Sequence, residues 1–423
     1  MKPMGSVFIN QIQEPSPLLA GSGSRWRHFI SMPHHILFAL GSLQAVLVML
    51  WWLVDLGGRY GRWYAPIAWA VPSPWAHLYL MVYALFPFYM FGFLMTTYPK
   101  WMDGVPVAAK HYLAAAALLG AGMLLGYIGL ITGKQTLLAA LLLYLAGWAV
   151  GLYALLSVYK GAQRPDTMHA RVTSGVLILG LCLLLTYTVG IYRLDPGWVA
   201  VARSGGIWWF LSPVFFAVSH RLIPFFSSVV LPDYKVIRPE WTLWLMMTGG
   251  LLHGALELAD MPKWTWLVDL PMAATALWLT YSWQLKQTFH IRILAMLHVA
   301  FAWLGIALAL YGIQSFALLI GADFPLNRAP LHALMVGYFA GMLVAMSTRV
   351  TLGHSGRPLS ADNSAWAIFI GIQIAALTRV MADFPIVHAY ASHLYLCSAL
   401  LWLIAFTGWL VKFTPIYWRI PKT

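Results

Sequence analysis

Runs of roughly twenty apolar residues follow one another along this chain, separated by short polar turns. A helix of that length rises about 30 Å, which matches the hydrocarbon thickness of a bilayer. Twelve such spans are predicted, at 35–54, 75–97, 111–131, 136–158, 169–192, 207–231, 241–258, 264–283, 291–311, 331–351, 364–382 and 390–413. A β-barrel would show short alternating segments, and these runs are continuous. The expected fold is therefore all-α: a polytopic membrane protein with a single bundle of about twelve transmembrane helices. The bundle occupies 35–413, between a tail at 1–34 and a tail at 414–423. The third and fourth spans are divided only by Thr132-Gly133-Lys134, and the seventh is short. Composition agrees, because 9% of residues are charged, against roughly 25% in a soluble domain.

Charge sets the expected orientation. The N-terminus, the even-numbered connections and the C-terminus carry 17 Lys and Arg; the odd-numbered connections carry 8, and Arg221 lies within a span. By the positive-inside rule both termini are cytoplasmic. The same rule accounts for the net charge of +13, so no nucleic-acid partner is expected. Cys182 and Cys397 both fall within spans, which leaves no disulfide framework or thiolate cluster. Residues 1–34, with Pro15 and Pro17, lack the charged-then-apolar pattern of a cleaved signal, so the first span is expected to direct insertion. No short-period repeat is evident.

The 13 acidic residues lie mostly in predicted loops or at span ends, including Asp55, Asp166, Asp323 and Asp383; only Glu257 and Asp269 approach a membrane interior. Proton-coupled transporters depend on buried carboxylates, and this chain offers few. Histidine is the reverse case. Of 14, His77, His220, His253, His298 and His332 fall within spans. A buried imidazole needs partners for its nitrogens, and the bland partner is another helix. Several in one bundle point instead to a metal, since neutral imidazole ligates haem iron and copper. His77 and His332 sit just inside the same edge of the bundle and so share a level. His253 lies about a turn and a half deeper, His220 near the middle and His298 in the cytoplasmic half. His34, His35, His169 and His354 gather at the cytoplasmic edge. Two imidazoles level with each other on different helices could ligate one haem from both faces.

Arg221 and Arg349 are the remaining intramembrane charges. Each wants an anion, for which a cofactor carboxylate would serve, although Arg349 could also snorkel to the headgroups. Pro224 interrupts the helix just after Arg221 and frees a carbonyl. No Gly-rich phosphate loop, Cys-x-x-Cys-His or Gly-x-Ser-x-Gly occurs. No catalytic residue is assigned.

Five stretches carry a family resemblance: His77 with Gly92–Trp101; Ser219-His220-Arg221-Leu222-Ile223-Pro224-Phe225-Phe226; Leu297–Trp303; His332-Ala333 with Thr348–Pro358; and Leu401-Trp402 through Pro415-Ile416-Tyr417. Together they resemble the NnrS family of bacterial inner-membrane proteins associated with haem, copper and the response to nitric oxide. The resemblance implies haem, with copper as a second candidate, in the bacterial inner membrane, and nitric oxide or a related small molecule as ligand. Cofactor-binding candidates are His77, His332, His220, His253, Arg221 and Arg349; metal-ligand candidates are His77, His220, His253, His298, His332 and His354. One motif departs. Where the family has Trp-His-Ala-His-Glu-Met, only the first histidine is matched, at His77, with Tyr79 and Leu80 in place of the second histidine and the glutamate. That leaves the number of cofactors open. Twelve spans also resemble the catalytic subunit of haem–copper oxidases in architecture, without its histidine pattern. The rival reading is a secondary transporter, or a metal- or haem-handling protein without redox chemistry.

Overall fold

The computed structural model describes residues 24–164, 167–322 and 324–419. The tail through residue 23, with Pro15 and Pro17, lies outside them, as do Asp166, Asp323 and residues 420–423. All regular structure in the described residues is helical. Each apolar run lies on a helix: α1 Pro33–Arg59, α2 Ser73–Met102, α3 Ala109–Thr132, α4 Lys134–Lys160, α5 Met168–Arg193, α6 Pro196–Val230, α7 Glu240–Leu258, α8 Trp266–Ser282, α9 Arg292–Leu319, α10 Ala329–Gly353, α11 Asn363–Met381 and α12 Ala391–Trp418. Ten of these, all but α7 and α8, are long and apolar enough to cross a membrane, and the chain is a polytopic membrane protein. α7 has 19 residues and α8 has 17, the latter containing Pro271 and a buried Asp269.

The helices pack in three arcs of four. α3 packs on α4, α7 on α8 and α11 on α12; α4 then meets α5, α8 meets α9, and α12 closes the ring on α1. The second helix of each arc lies inward. α2, α6 and α10 each open with a proline in the first turn, where no N–H partner is lost, and each then loosens into a π-helical segment: Tyr79–Tyr83, Gly206–Leu211 and Ala333–Ala340. Their rings meet on a common axis. Phe86 of α2, Phe215 of α6 and Phe339 of α10 form a triangle with centroids 5.5, 6.0 and 4.8 Å apart. α2 is buried along its whole apolar length, and α10 along most of it.

Lipid gives apolar helices no hydrophobic reason to associate, so close backbone approach must hold them together. α3 and α4 achieve it with glycine. A Cβ on Gly122 would stand 2.8 Å from the Ala140 carbonyl oxygen and the Tyr144 nitrogen, and one on Gly147 would stand 2.7 Å from the Leu119 nitrogen. Buried acids pin the ends of the helices. Asp55 accepts from Arg59, from Trp69 Nε1 at 3.0 Å and from Ser73 Oγ at 2.7 Å, which ties the α1–α2 connection down. Asp383 accepts from Arg379 and Tyr395, both at 2.7 Å. Residues 414–418 form a 3-10 turn that continues α12, and Trp418 stacks on Phe29 at 4.0 Å beside the start of α1. The even-numbered helices all begin at one end of the bundle, its upper end, and finish at the opposite, lower end.

Gly122→Leu should destabilise the protein by about 1–3 kcal/mol through overpacking against backbone. Gly175→Leu, where a Cβ meets nothing within 4 Å, should be close to neutral. Thermal unfolding in one detergent compares them, and equal midpoints would contradict this account of the α3–α4 contact.

Candidate functional site

At the upper end, α2 and α10 each present a histidine just after the helix-opening proline. His77 stacks on Trp52 of α1, centroids 3.9 Å apart, and its buried Nδ1 has no hydrogen-bond partner. His332 has Nδ1 2.9 Å from the Arg328 carbonyl oxygen, so Nδ1–H donates there and Nε2 keeps its lone pair. His77 acts electrostatically on His332, and Arg328 and Arg379 act on both. Arg59 and Asp55 also act on His77. The site thus has two imidazoles at the same end of two buried helices, one with an orphaned nitrogen and one with its tautomer fixed, with three arginines close enough to act on them. Their donor chemistry suits haem: His77 and His332 would ligate its iron, and the arginines would pair with its carboxylates.

The other histidines are placed differently. His220 is not near the middle of the bundle: α6 begins at Pro196, well before the predicted 207, which carries His220 down to the starts of α5 and α7. Its Nε2 lies 3.2 Å from the Pro239 carbonyl oxygen, and its Nδ1 lies 3.1 Å from His169 Nε2. With Nε2–H donated and Nδ1 accepting, no lone pair is left for a metal. His298 Nε2 lies 2.9 Å from Ser227 Oγ, which itself donates to the Ile223 carbonyl. His253 of α7 has Nδ1 2.6 Å from Asp269 Oδ1 of α8, and Trp208 stacks on its ring at 3.6 Å. Both partners are buried, and Asp269 Oδ2 has no partner.

At the lower end His28, His34, His35 and His354 pack ring to ring, with centroids 4.6–5.2 Å apart. His354 Nδ1 faces the Val350 carbonyl at 3.0 Å and Nε2 faces Lys100 Nζ at 3.2 Å. Burial, with Lys100 adding to it, pushes the His354 imidazole down to about 4, so it is neutral near pH 7 and accepts from the lysine. Burial also lowers His28. Among the described residues no group of three or more His, Cys, Asp or Glu could hold a metal ion. These rings pack against one another at the lower end of the bundle.

The two arginines singled out in the sequence lie far from the upper histidines. Arg349 follows His332 on α10 by about 25 Å of helix. It is 7% exposed, stacks on Phe226 at 3.7 Å and has a buried Nη1 without a partner. Arg221 lies over Trp101 at 4.8 Å. The arginines beside His77 and His332 are instead Arg59, Arg328 and Arg379, which positive-inside counting assigns to loops. Trp52 left no signal in the sequence.

A family model described as NnrS protein matches residues 28–420 of the chain. A search of curated proteins found no match.

The His253–Asp269 contact makes a test of its own. Asp269→Leu leaves a buried imidazole without its acceptor and should cost about 3–5 kcal/mol, whereas His253→Leu with Asp269→Leu should recover most of that. Unfolding midpoints of the two single variants and the double variant measure it. Additive losses would show that the two residues act separately.

Proposed function

The chain belongs to the NnrS family, and we propose that it is an inner-membrane haem protein of bacteria that serves the response to, or tolerance of, nitric oxide and nitrosative stress. The observation that carries the haem reading is the pair His77 and His332, at the same end of the two most buried helices, with Arg59, Arg328 and Arg379 close enough to act on them. Haem held there supplies a one-electron iron couple in a low-dielectric setting. The chain's own residues do the rest. The Arg328 carbonyl fixes the His332 tautomer and ring plane, as the outer partner of a metal ligand does. Trp52 braces the His77 ring from one face. The arginines offer planar forks for carboxylates, and Asp55 and Asp383 hold Arg59 and Arg379 in place.

The full topology belongs to the same proposal: α7 and α8 cross the membrane with the other ten helices, and both termini are cytoplasmic. At about 1.5 Å per residue, α7 and α8 span about 25–28 Å, enough where the bilayer thins slightly. Charge bias supports the orientation.

A secondary transporter remains the second reading because of one observation, the buried Asp269 with an unpartnered Oδ2. Absorption spectra of the purified protein, oxidised and dithionite-reduced, separate the two. The haem reading predicts low-spin Soret and α bands that are lost together in His77→Ala and in His332→Ala at normal protein level. A colourless parent protein, or loss in only one variant, would defeat the shared site. Reporter fusions after Lys100, Arg164, Lys235 and the C-terminus should report cytoplasm, and those after Arg59 and Arg193 periplasm. A mismatch confined to fusions between α7 and α8 would mean that this pair does not span.

A further inference from the structure

Below the Phe86, Phe215 and Phe339 triangle, α2, α6 and α10 part and leave a half-open cavity between them. Its walls are almost wholly apolar, with Phe93 from α2, Val218 from α6 and Leu343 and Met346 from α10. Ser347 also lines it, and its hydroxyl turns back onto the Val344 carbonyl at 3.3 Å. Outer helices close the three gaps between the inner ones. α5 joins α2 to α6: Tyr98 Oη donates to the Ala170 carbonyl at 3.2 Å, and His169 meets His220 at 3.1 Å. α1 joins α2 to α10: His34 Nδ1 lies 3.2 Å from Thr96 Oγ1, and its ring lies 5.1 Å from that of His354. α9 joins α6 to α10 through His298 on Ser227 and through its packing along α10. With the triangle above, the lower end of the bundle is left as the way in.

Arg349 stands at that lower end. It follows Met346 by three residues on α10, one turn down on the same face. Its guanidinium reaches across to α6, where it lies 3.7 Å from the ring centroid of Phe226, about two turns below Val218. The side chain therefore bridges α10 and α6 just under the cavity. It is 7% exposed, it has no acidic partner among the described residues, and its buried Nη1 has nothing to donate to. Phe226 takes one face of the guanidinium and leaves the in-plane N–H groups, which are the edge that a carboxylate pairs with. A buried cation without compensation is costly, so an anion brought to it inside the protein is held strongly.

We propose that the cavity and Arg349 together bind an amphipathic carboxylate of the fatty-acid class, with its apolar body between α2, α6 and α10 and its head on the Arg349 guanidinium. Charge favours this class. One buried cation is matched by one carboxylate, whereas a phosphate monoester brings surplus charge into an apolar site. A bilayer phospholipid has a suitable apolar part, but α1, α5 and α9 stand between the cavity and the lipid. A free amphiphile enters from the lower end instead. The site is separate from the His77–His332 pair, which lies about 25 Å of helix above Arg349, and it needs no haem.

The test uses the full-length protein in phosphatidylcholine nanodiscs, with a fatty acid that carries a photoreactive diazirine in its chain as the probe. Mass spectrometry of the cross-linked peptides should place label on the cavity walls, around Val218 and Leu343. Laurate should displace the probe, whereas dodecanol, which lacks the charged head, and phosphatidylglycerol should not. Arg349→Gln should cut the labelling about tenfold, and Arg349→Lys should restore part of it. Val218→Trp, which fills the cavity and leaves the arginine in place, should also abolish it, so the proposal stays testable if Arg349→Gln does not fold. No label on the cavity walls of the parent, undiminished label in folded Arg349→Gln or Val218→Trp, or displacement by dodecanol or phosphatidylglycerol as readily as by laurate would each overturn the proposal. Label is read by mass whether or not iron is bound, so failure here is distinguishable from failure of the haem reading.

Discussion

Hydrocarbon neither donates nor accepts a hydrogen bond, and the whole structure follows from that. Every buried polar group in this bundle has to find its partner inside the protein. Most do. Tyr83 donates to the Ala202 carbonyl, Trp402 to the Ala45 carbonyl and Trp409 to Thr348, each linking two helices that apolar contact alone would leave free to slide. Against that background the orphans stand out. Among the described residues eleven buried side-chain atoms have no partner, and four of them, His77 Nδ1, Tyr79 Oη, Tyr89 Oη and Arg349 Nη1, lie on α2 or α10, the most buried helices that the structure builds around.

The inner helices explain why. A regular α-helix uses all its own carbonyls, whereas a π-helical segment widens the turn and shifts which side chains face inward. α2, α6 and α10 each loosen in their upper half, close to His77, His253 and His332, and then tighten below the phenylalanine triangle. His77 and His332 follow prolines that start their helices, so their height is set by where each helix can begin. Trp208, which stacks on His253, itself lies on the α6 π-helical segment. The same three helices therefore frame both the histidine pair and the apolar cavity.

Much of this was legible in the sequence because apolar runs and helix lengths are set by the same bilayer. Every predicted span falls on a helix, and the common level of His77 and His332 follows from their places just inside the starts of α2 and α10. The start of α6 was not legible: Asp195 and Pro196 open the helix early, and the stretch with Arg203 and Ser204 is too polar to read as membrane, although Ser204 is buried against Glu257. That offset moved His220 and Arg221 from the centre of the helix by nearly two turns. The arginines near the histidine pair were hidden for a different reason, since Arg59, Arg328 and Arg379 sit at helix ends, where a positive side chain is ordinary. Asp269 showed as an unusual acid, but its bond to His253 joins two helices and has no local signature.

In the proposed function His77 and His332 would both ligate one haem iron. Pulsed electron paramagnetic resonance on the oxidised protein, grown with ¹⁵N-histidine, reads the axial ligands directly. The account predicts two histidine nitrogens coupled to one low-spin ferric centre in the parent protein, and loss of that centre in both His77→Ala and His332→Ala. A single coupled nitrogen, a pair that survives either substitution, or no low-spin iron at all would contradict it.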